Sequence, residues 1–299
     1  MWIILGVVSA LFLGLYDVAK KWSLNDNAVI PVLLFGTLSG ALLFLPLMLA
    51  SNIFPTYAIH QAWYVAPQPL YVHGLFFIKS LIVGSSWMLA YFSMKHLPIT
   101  ITTTIRASSP VWTIILALFI LGERFNPWQW VGIIVTIISY YAFMLAGKKE
   151  GIVFRNNKWV WLMFAAAVIG AISSIYDKYL VQNFDRIAMQ AWFSWYLVLI
   201  YFLIFWLLWW PRKSKNTQFQ WRHSIAFIGV LLVMADFVYF QALSYPDALI
   251  GLLSPIRRSS VAISFLLGGF IFKDKNIGHK GLVLIGILVG VVLIYLSSK

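Results

Sequence analysis

The chain contains no cysteine and very little charge. Without thiols there is no disulfide framework, no thiolate metal site and no cysteine nucleophile. Charged side chains make up 10% of the 299 residues, where a soluble domain carries roughly a quarter. No polar stretch is long enough to house a separate soluble domain. There is no Gly-x-x-x-x-Gly-Lys phosphate loop, so ATP does not drive this protein. No Ser/His/Asp grouping suggests hydrolysis. His60, His73, His96, His223 and His279 fall at or beyond predicted helix ends and never share helical spacing. No metal site and no cofactor are therefore expected.

What is present is apolar surface. Hydrophobic residues make up 62% of the chain, and the mean hydropathy is +0.86. Only lipid solvates such a chain. Apolar runs near the ~20 residues needed to cross a bilayer recur along its length. Ten spans are predicted: 2–22, 29–50, 73–95, 99–121 and 128–146, then 159–180, 187–210, 224–244, 249–271 and 280–297. All are read as helices, because an open sheet leaves backbone groups unsatisfied in hydrocarbon. The first span lacks a basic start and a small-residue cleavage site, and is read as retained.

The chain repeats itself. Residues 106–125 read RASSPVWTIILALFILGERF and residues 257–276 read RRSSVAISFLLGGFIFKDKN. At an offset of 151 they share Arg, Ser, Ser, Leu, Phe and Ile, and Glu123 aligns with Asp274. Asp17 and Asp177 form a second echo at an offset of 160, and Tyr91-Phe92 and Tyr239-Phe240 a third. The expected architecture is all-α: ten transmembrane helices in two five-helix repeats, residues 1–146 and 159–299, joined by a basic linker at 147–158. An odd number of helices per repeat inserts the two copies with opposite orientation.

The net charge of +13 is distributed by side. Loops on one side carry Lys20, Lys21, Lys95, Lys148, Lys149, Arg155, Lys158, Arg212, Lys213, Lys215, Arg222, Lys273, Lys275 and Lys280, which is 14. The other side carries Arg124, Arg186 and Lys299, which is 3, with Lys178 at a helix edge. This bias makes the first side cytoplasmic and both termini external. Basic residues at helix ends account for the charge, so no nucleic-acid partner is expected.

Residues 95–145 carry Ser109-Pro110 within helix 4, Gly122-Glu123 at its end, and Trp128 followed by Gly132 opening helix 5. In these features the chain resembles the EamA-type transporters of the drug/metabolite transporter superfamily. The second half departs from the pattern, with Lys273-Asp274 and Ser260-Val261 at the corresponding places. The resemblance implies two inverted repeats and a central cavity lined mainly by helices 1, 3, 4, 6, 8 and 9. It also implies transport of small metabolites, with lipid-linked sugars handled by relatives.

Charges inside the spans are the candidate site residues, since each costs at least ~2.5–3.5 kcal/mol at mid-bilayer. They are Lys79, Arg106, Arg257 and Arg258 against Asp17, Asp177 and Asp236. Asp17 and Arg106 lie roughly 7 and 6 Å from the centres of their helices, toward the same side, and are expected to pair. By the repeat, Asp177 is expected to pair with Arg257. These pairs either tie helices together or open with the mouths, and Asp17, Asp177 or Asp236 could carry a coupling proton. Arg258 aligns with Ala107 and Asp236 with Met88, so the repeat explains neither. They form either a pair near the cavity centre or a site where Arg258 faces a substrate anion. Lys79 either joins that site or snorkels outward. Trp87, Tyr91 and Tyr239 are either a stacking wall or helix packing. Ser108, Ser109, Ser259 and Ser260 permit close helix approach or bond across helices.

The leading expectation is a secondary active transporter of the inner membrane, exporting a small polar metabolite that bears a carboxylate or phosphate. A lipid or lipid-linked sugar flippase is the alternative, and would need a lateral opening. A membrane enzyme would need catalytic groups gathered at one depth, which this chain lacks. The expected partners are a small-molecule substrate and the bilayer, with the protein a monomer or homodimer.

Overall fold

The computed structural model describes the whole chain except residues 107, 148–156, 215–216, 265–266, 268–276 and 298–299. The described residues are all helix, turn and loop. Helices α1 (Trp2–Leu24), α2 (Val29–Ala41), α3 (Leu45–Ile53), α4 (Pro55–Ala58), α5 (Leu70–His96), α6 (Ile99–Arg106), α7 (Ser109–Ile120) and α8 (Pro127–Gly147) make up the first half. Helices α9 (Lys158–Asn183), α10 (Arg186–Ile204), α11 (His223–Leu243), α12 (Ile250–Arg258) and α13 (Ile277–Ser297) follow. Among the described residues, six helical stretches are long and apolar enough to cross a bilayer: Trp2–Leu24, Val29–Ile53, Leu70–His96, Lys158–Asn183, Arg186–Arg212 and His223–Leu243. The linker read at 147–158 and the Lys273-Asp274 motif lie largely or wholly outside the described residues.

Several spans expected to be continuous are broken. The span at 29–50 divides into α2 and α3, with Pro46 in the first turn of α3. The span at 99–121 divides into α6 and α7, with Pro110 in the first turn of α7. Proline donates no backbone hydrogen bond and crowds the carbonyl a turn earlier, so a helix restarts there more readily than it continues. The helix read over 187–210 loosens into a π turn at Phe205–Trp209 and a 3₁₀ turn at Trp210–Arg212, ahead of the basic loop.

The packing is dominated by three helix pairs: α1 with α11, α5 with α9, and α8 with α13. Around them α2 packs on α10 and α11, α5 on α10, α12 on α7 and α1, and α6 and α7 on α9. The contact of α2 with α11 depends on glycine. A Cβ on Gly229 would lie 2.2 Å from the Gly36 carbonyl oxygen and 2.3 Å from the Gly40 nitrogen, so nothing larger fits. Such backbone approach replaces the hydrophobic drive that lipid does not supply. Large apolar side chains on the outside, among them Ile4, Leu11, Phe119, Ile138 and Leu207, are exposed as a lipid-facing surface requires.

Candidate functional site

The site is built where two helices end. Arg106 lies in the last turn of α6, and Arg257 and Arg258 in the last turn of α12. Helix C-termini present unsatisfied carbonyls that favour cations. The serines after the arginines close both ends in the same way. Ser108 Oγ donates to Ile105 O at 2.7 Å, and its backbone N–H to the same oxygen at 3.0 Å. Ser259 Oγ donates to Ile256 O at 2.7 Å, and its backbone N–H at 3.1 Å. One turn on, Thr113 Oγ1 bonds Ser109 O at 3.1 Å and Ser264 Oγ bonds Ser260 O at 3.0 Å. The repeated Arg-x-Ser-Ser is thus a helix-ending device that holds arginine beside the cavity. Ser109 also bonds across helices, to Ala167 O at 3.3 Å, as does Ser264, to Gly14 O at 3.3 Å.

These ends frame a cavity of about 90 Å³ between the halves. Its walls come from α1 (Leu13, Tyr16), α5 (Lys79, Trp87), α6 (Arg106), α9 (Ser174, Asp177), α11 (Asp236) and α12 (Arg257, Arg258), with Phe193 of α10. These are the six spans that the family resemblance implied, plus one residue of a seventh. Sites that enclose drug-sized ligands run to ~300–1,000 Å³, so in this conformation the cavity is contracted, with Arg106 and Arg257 still partly exposed.

Each carboxylate in the cluster is paired. Asp17 Oδ1 accepts from Arg106 Nη1 at 2.7 Å and from Lys20 Nζ at 2.6 Å. The expected contact of Asp17 with Arg106 is present, and Lys20 joins it. The other expected pairs are not. Asp177 bonds Lys79 rather than Arg257, and Asp236 bonds Arg257 rather than Arg258. The reason is geometric. Helix α9 packs along α5, which sets Asp177 against Lys79. Arg257 reaches between α11 and α1, its guanidinium on Asp236 and its Nε donating to Ser9 Oγ of α1 at 3.1 Å.

Lys79 does not snorkel: it is 1% exposed, with Nζ 4.5 Å from the ring centre of Phe193 and 4.9 Å from that of Phe240. Lys20, counted above as a loop charge, is also 1% exposed, 4.3 Å over the Tyr16 ring. Cations on aromatic faces recover part of the solvation lost on burial. Arg258 lines the cavity with Asp236 and Arg257.

Of the three aromatics singled out in the sequence, Trp87 lines the charged cavity, while Tyr91 and Tyr239 do not. Tyr91 sits behind it, its hydroxyl 3.3 Å from that of Tyr16. Tyr239 lies beneath Arg257, whose Cζ is 3.9 Å from its ring centre.

A second buried charge cluster closes one end of the molecule. Glu123 Oε1 accepts from Lys178 Nζ at 2.7 Å and from Ile250 N at 2.8 Å, and Oε2 accepts from Gly251 N at 2.9 Å. Lys178 Nζ also donates to Ala248 O at 2.9 Å. A glutamate of the first half thus caps the N-terminus of α12 in the second, where a carboxylate is favoured. Sequence reasoning assigned Glu123 only to a family motif and Lys178 to a helix edge. The opposite end is tied by Asn27, which donates to Gln220 O at 2.7 Å and accepts from Gln220 N at 2.9 Å. Ser23 and Ser224 meet there at 2.7 Å, and Arg222 Nη1 bonds Trp22 O at 2.6 Å.

The EamA-like transporter family model matches residues 1–145 and 157–296, nearly the whole chain. The chain belongs to the EamA-like transporter family. It is a multi-pass membrane transporter, not an enzyme. A curated relative, the S-adenosylmethionine uptake transporter of Rickettsia prowazekii (strain Madrid E), is 24% identical over 221 residues, covering 72% of this chain and 69% of its own. A solved crystal structure at 15% identity superposes over 99% of this chain and 98% of its own with a TM-score of 0.70, which speaks for the fold.

Proposed function

We propose that the protein is a secondary transporter of a small polar metabolite, working by alternating access of two inverted five-helix repeats, residues 1–146 and 159–299. The single observation that carries this reading is the charge-lined cavity to which both halves contribute. The packing supports the inverted repeat. Exchanging the halves turns the pair α1 with α11 into α9 with α5, and returns α8 with α13 and α2 with α10 to themselves. A central site at the repeat interface is where such carriers bind substrate.

The two tied ends serve as gates: Glu123 with Lys178 and α12 at one, the Asn27–Gln220 contacts at the other. Substrate enters when one set breaks and leaves when the other does. Direction follows the gradients of substrate and coupling ion, because no ATP site commits the cycle one way. Export, as the family resemblance implies, and uptake, as in the named relative, are then the same machine run on different gradients. The charged lining of the cavity favours a polar solute over a lipid tail.

The test is counterflow in proteoliposomes with a metabolite panel. Saturable exchange, abolished by Asp236→Asn and by Arg257→Gln in correctly folded protein, is expected. Normal exchange by both variants would place the substrate site elsewhere.

A further inference from the structure

We infer that the transported solute is a small organic anion, its negative group held among Arg257, Arg258 and Lys79 and a hydrogen-bond donor of its own reaching past Trp87 toward Gln190. This rests on the central cavity being the substrate site, as proposed above, and names what that site accepts.

The charge balance comes first. The cavity is lined by Lys79, Arg106, Arg257 and Arg258 against Asp177 and Asp236. Directly behind it Lys20 adds one cation and Asp17 one carboxylate. Among the described residues the cluster therefore holds five cations and three carboxylates, a surplus of two positive charges. Glu123 and Lys178 neutralise each other elsewhere and leave this unchanged. The crowding is visible at Asp17, where Arg106 and Lys20 share a single oxygen, Oδ1. A surplus of this kind in a low-dielectric interior is offset by an incoming anion and worsened by an incoming cation. Arginine adds geometric preference, since its fork meets a carboxylate or phosphate with two parallel hydrogen bonds.

The second observation is independent of charge. An adjoining apolar cavity of about 20 Å³ shares Trp87, Phe193, Leu232 and Asp236 with the charged one. Gln190 sits in its wall, 0% exposed. Its Nε2 donates to Val233 O at 3.0 Å, while its buried Oε1 has no hydrogen-bond partner. An orphaned buried acceptor costs its full desolvation penalty unless something donates to it. A ligand N–H or O–H reaching past Trp87 would supply that donor. The two lobes together describe an anionic head and a donor group, the second lobe having room for about one water-sized group.

S-adenosylmethionine, the solute in the relative's name, carries a carboxylate beside its ammonium and sulfonium and is net cationic at neutral pH, so it serves as a contrast to a net anion. The decisive comparison uses the wild-type protein, purified and reconstituted, with indole-3-acetate, 1-naphthaleneacetate, tryptamine and S-adenosylmethionine as probes. The readouts are the thermal unfolding midpoint and counterflow. A ligand that binds only the folded state raises the midpoint. Indole-3-acetate is expected to raise it and to exchange, while tryptamine, the same ring with a cationic amine, does neither. Indole-3-acetate should bind about tenfold tighter than 1-naphthaleneacetate, which lacks the N–H, and Gln190→Leu should erase that difference. Arg258→Lys should weaken anion binding by about tenfold while retaining charge.

Exchange of tryptamine or S-adenosylmethionine without exchange of the anions would overturn the anion assignment and leave the transporter reading standing. Failure of both anions to bind would also overturn it. Anion binding unaffected by Arg258→Lys and by Gln190→Leu would instead strike the central-site reading beneath it.

Discussion

Removal of the Glu123 carboxylate should unlock one mouth of the transporter. Glu123 is buried and makes three contacts to the other half: Lys178 Nζ at 2.7 Å, Ile250 N at 2.8 Å and Gly251 N at 2.9 Å. Glu123→Ala leaves a buried ammonium without its carboxylate, a change that costs about 3–5 kcal/mol, and strips the cap from α12, about 1 kcal/mol more. Lys178 keeps its bond to Ala248 O, and opening of the mouth rehydrates it. The lower end, about 3 kcal/mol, is therefore the appropriate figure, and it corresponds to about a hundredfold shift toward the open state.

The absence of cysteine makes this measurable without background. Ser174 lines the cavity one helical turn before Lys178. A Ser174→Cys reporter should react slowly with a membrane-impermeant maleimide in the wild-type background. It should react about a hundredfold faster with Glu123→Ala, since labelling tracks the open population. Glu123→Gln keeps an acceptor for the helix end and should fall between the two. Labelling rates within about twofold of one another, in protein that unfolds at a normal temperature, would show that the Glu123 cluster is a static tie and not a gate.

Three further outcomes are expected. Lys79→Met should destabilise the protein by about 3 kcal/mol or more by stranding Asp177, and Lys79→Met with Asp177→Asn should recover most of that; thermal unfolding of the four proteins measures the coupling, and additive losses would refute the pair. Ser108→Ala and Ser259→Ala should each cost about 1 kcal/mol by removing the hydroxyl bond to Ile105 O or Ile256 O, while transport survives; loss of transport at wild-type stability would mean that the hydroxyls meet substrate. A fluorescent protein that matures only in the cytoplasm, fused after Lys299, should stay dark if the loop charges orient the chain; bright cells would reverse the assignment.

How much of this was legible in the sequence depends on what sets each feature. Helical class and membrane residence follow from composition, and the repeated Arg-x-Ser-Ser told where each half would bring arginine inward. The break at Ser108 was readable in principle, because Pro110 stands beside it, whereas α12 continues through Pro255 and ends only at Arg258. Apolar runs in lipid nevertheless look the same whether a helix continues or restarts. Lys20 was misread for a related reason. It lies within four residues of a basic loop, and only its i,i+3 spacing from Asp17 hinted that it turns inward.

The ion-pair partners were illegible because symmetry predicts positions and not partners. Asp17 and Asp177 occupy equivalent places in the two halves. Asp17 finds Arg106 on the helix that ends beside it, whereas Asp177 meets Lys79 first. Lys79 aligns with no cation in the second half, where Phe227 stands at the corresponding position. Arg257 is then left to Asp236, which also lacks a counterpart. One unmatched lysine thus displaces the expected symmetric pairing and draws a second unmatched residue into place. Lys79, Asp236 and Arg258, three charges that break the repeat, all line the cavity. A duplicated scaffold needs the same residues twice to rock about its axis, but a solute has no such symmetry. On the proposed reading, the residues that answer to the solute are the ones that the two halves do not share.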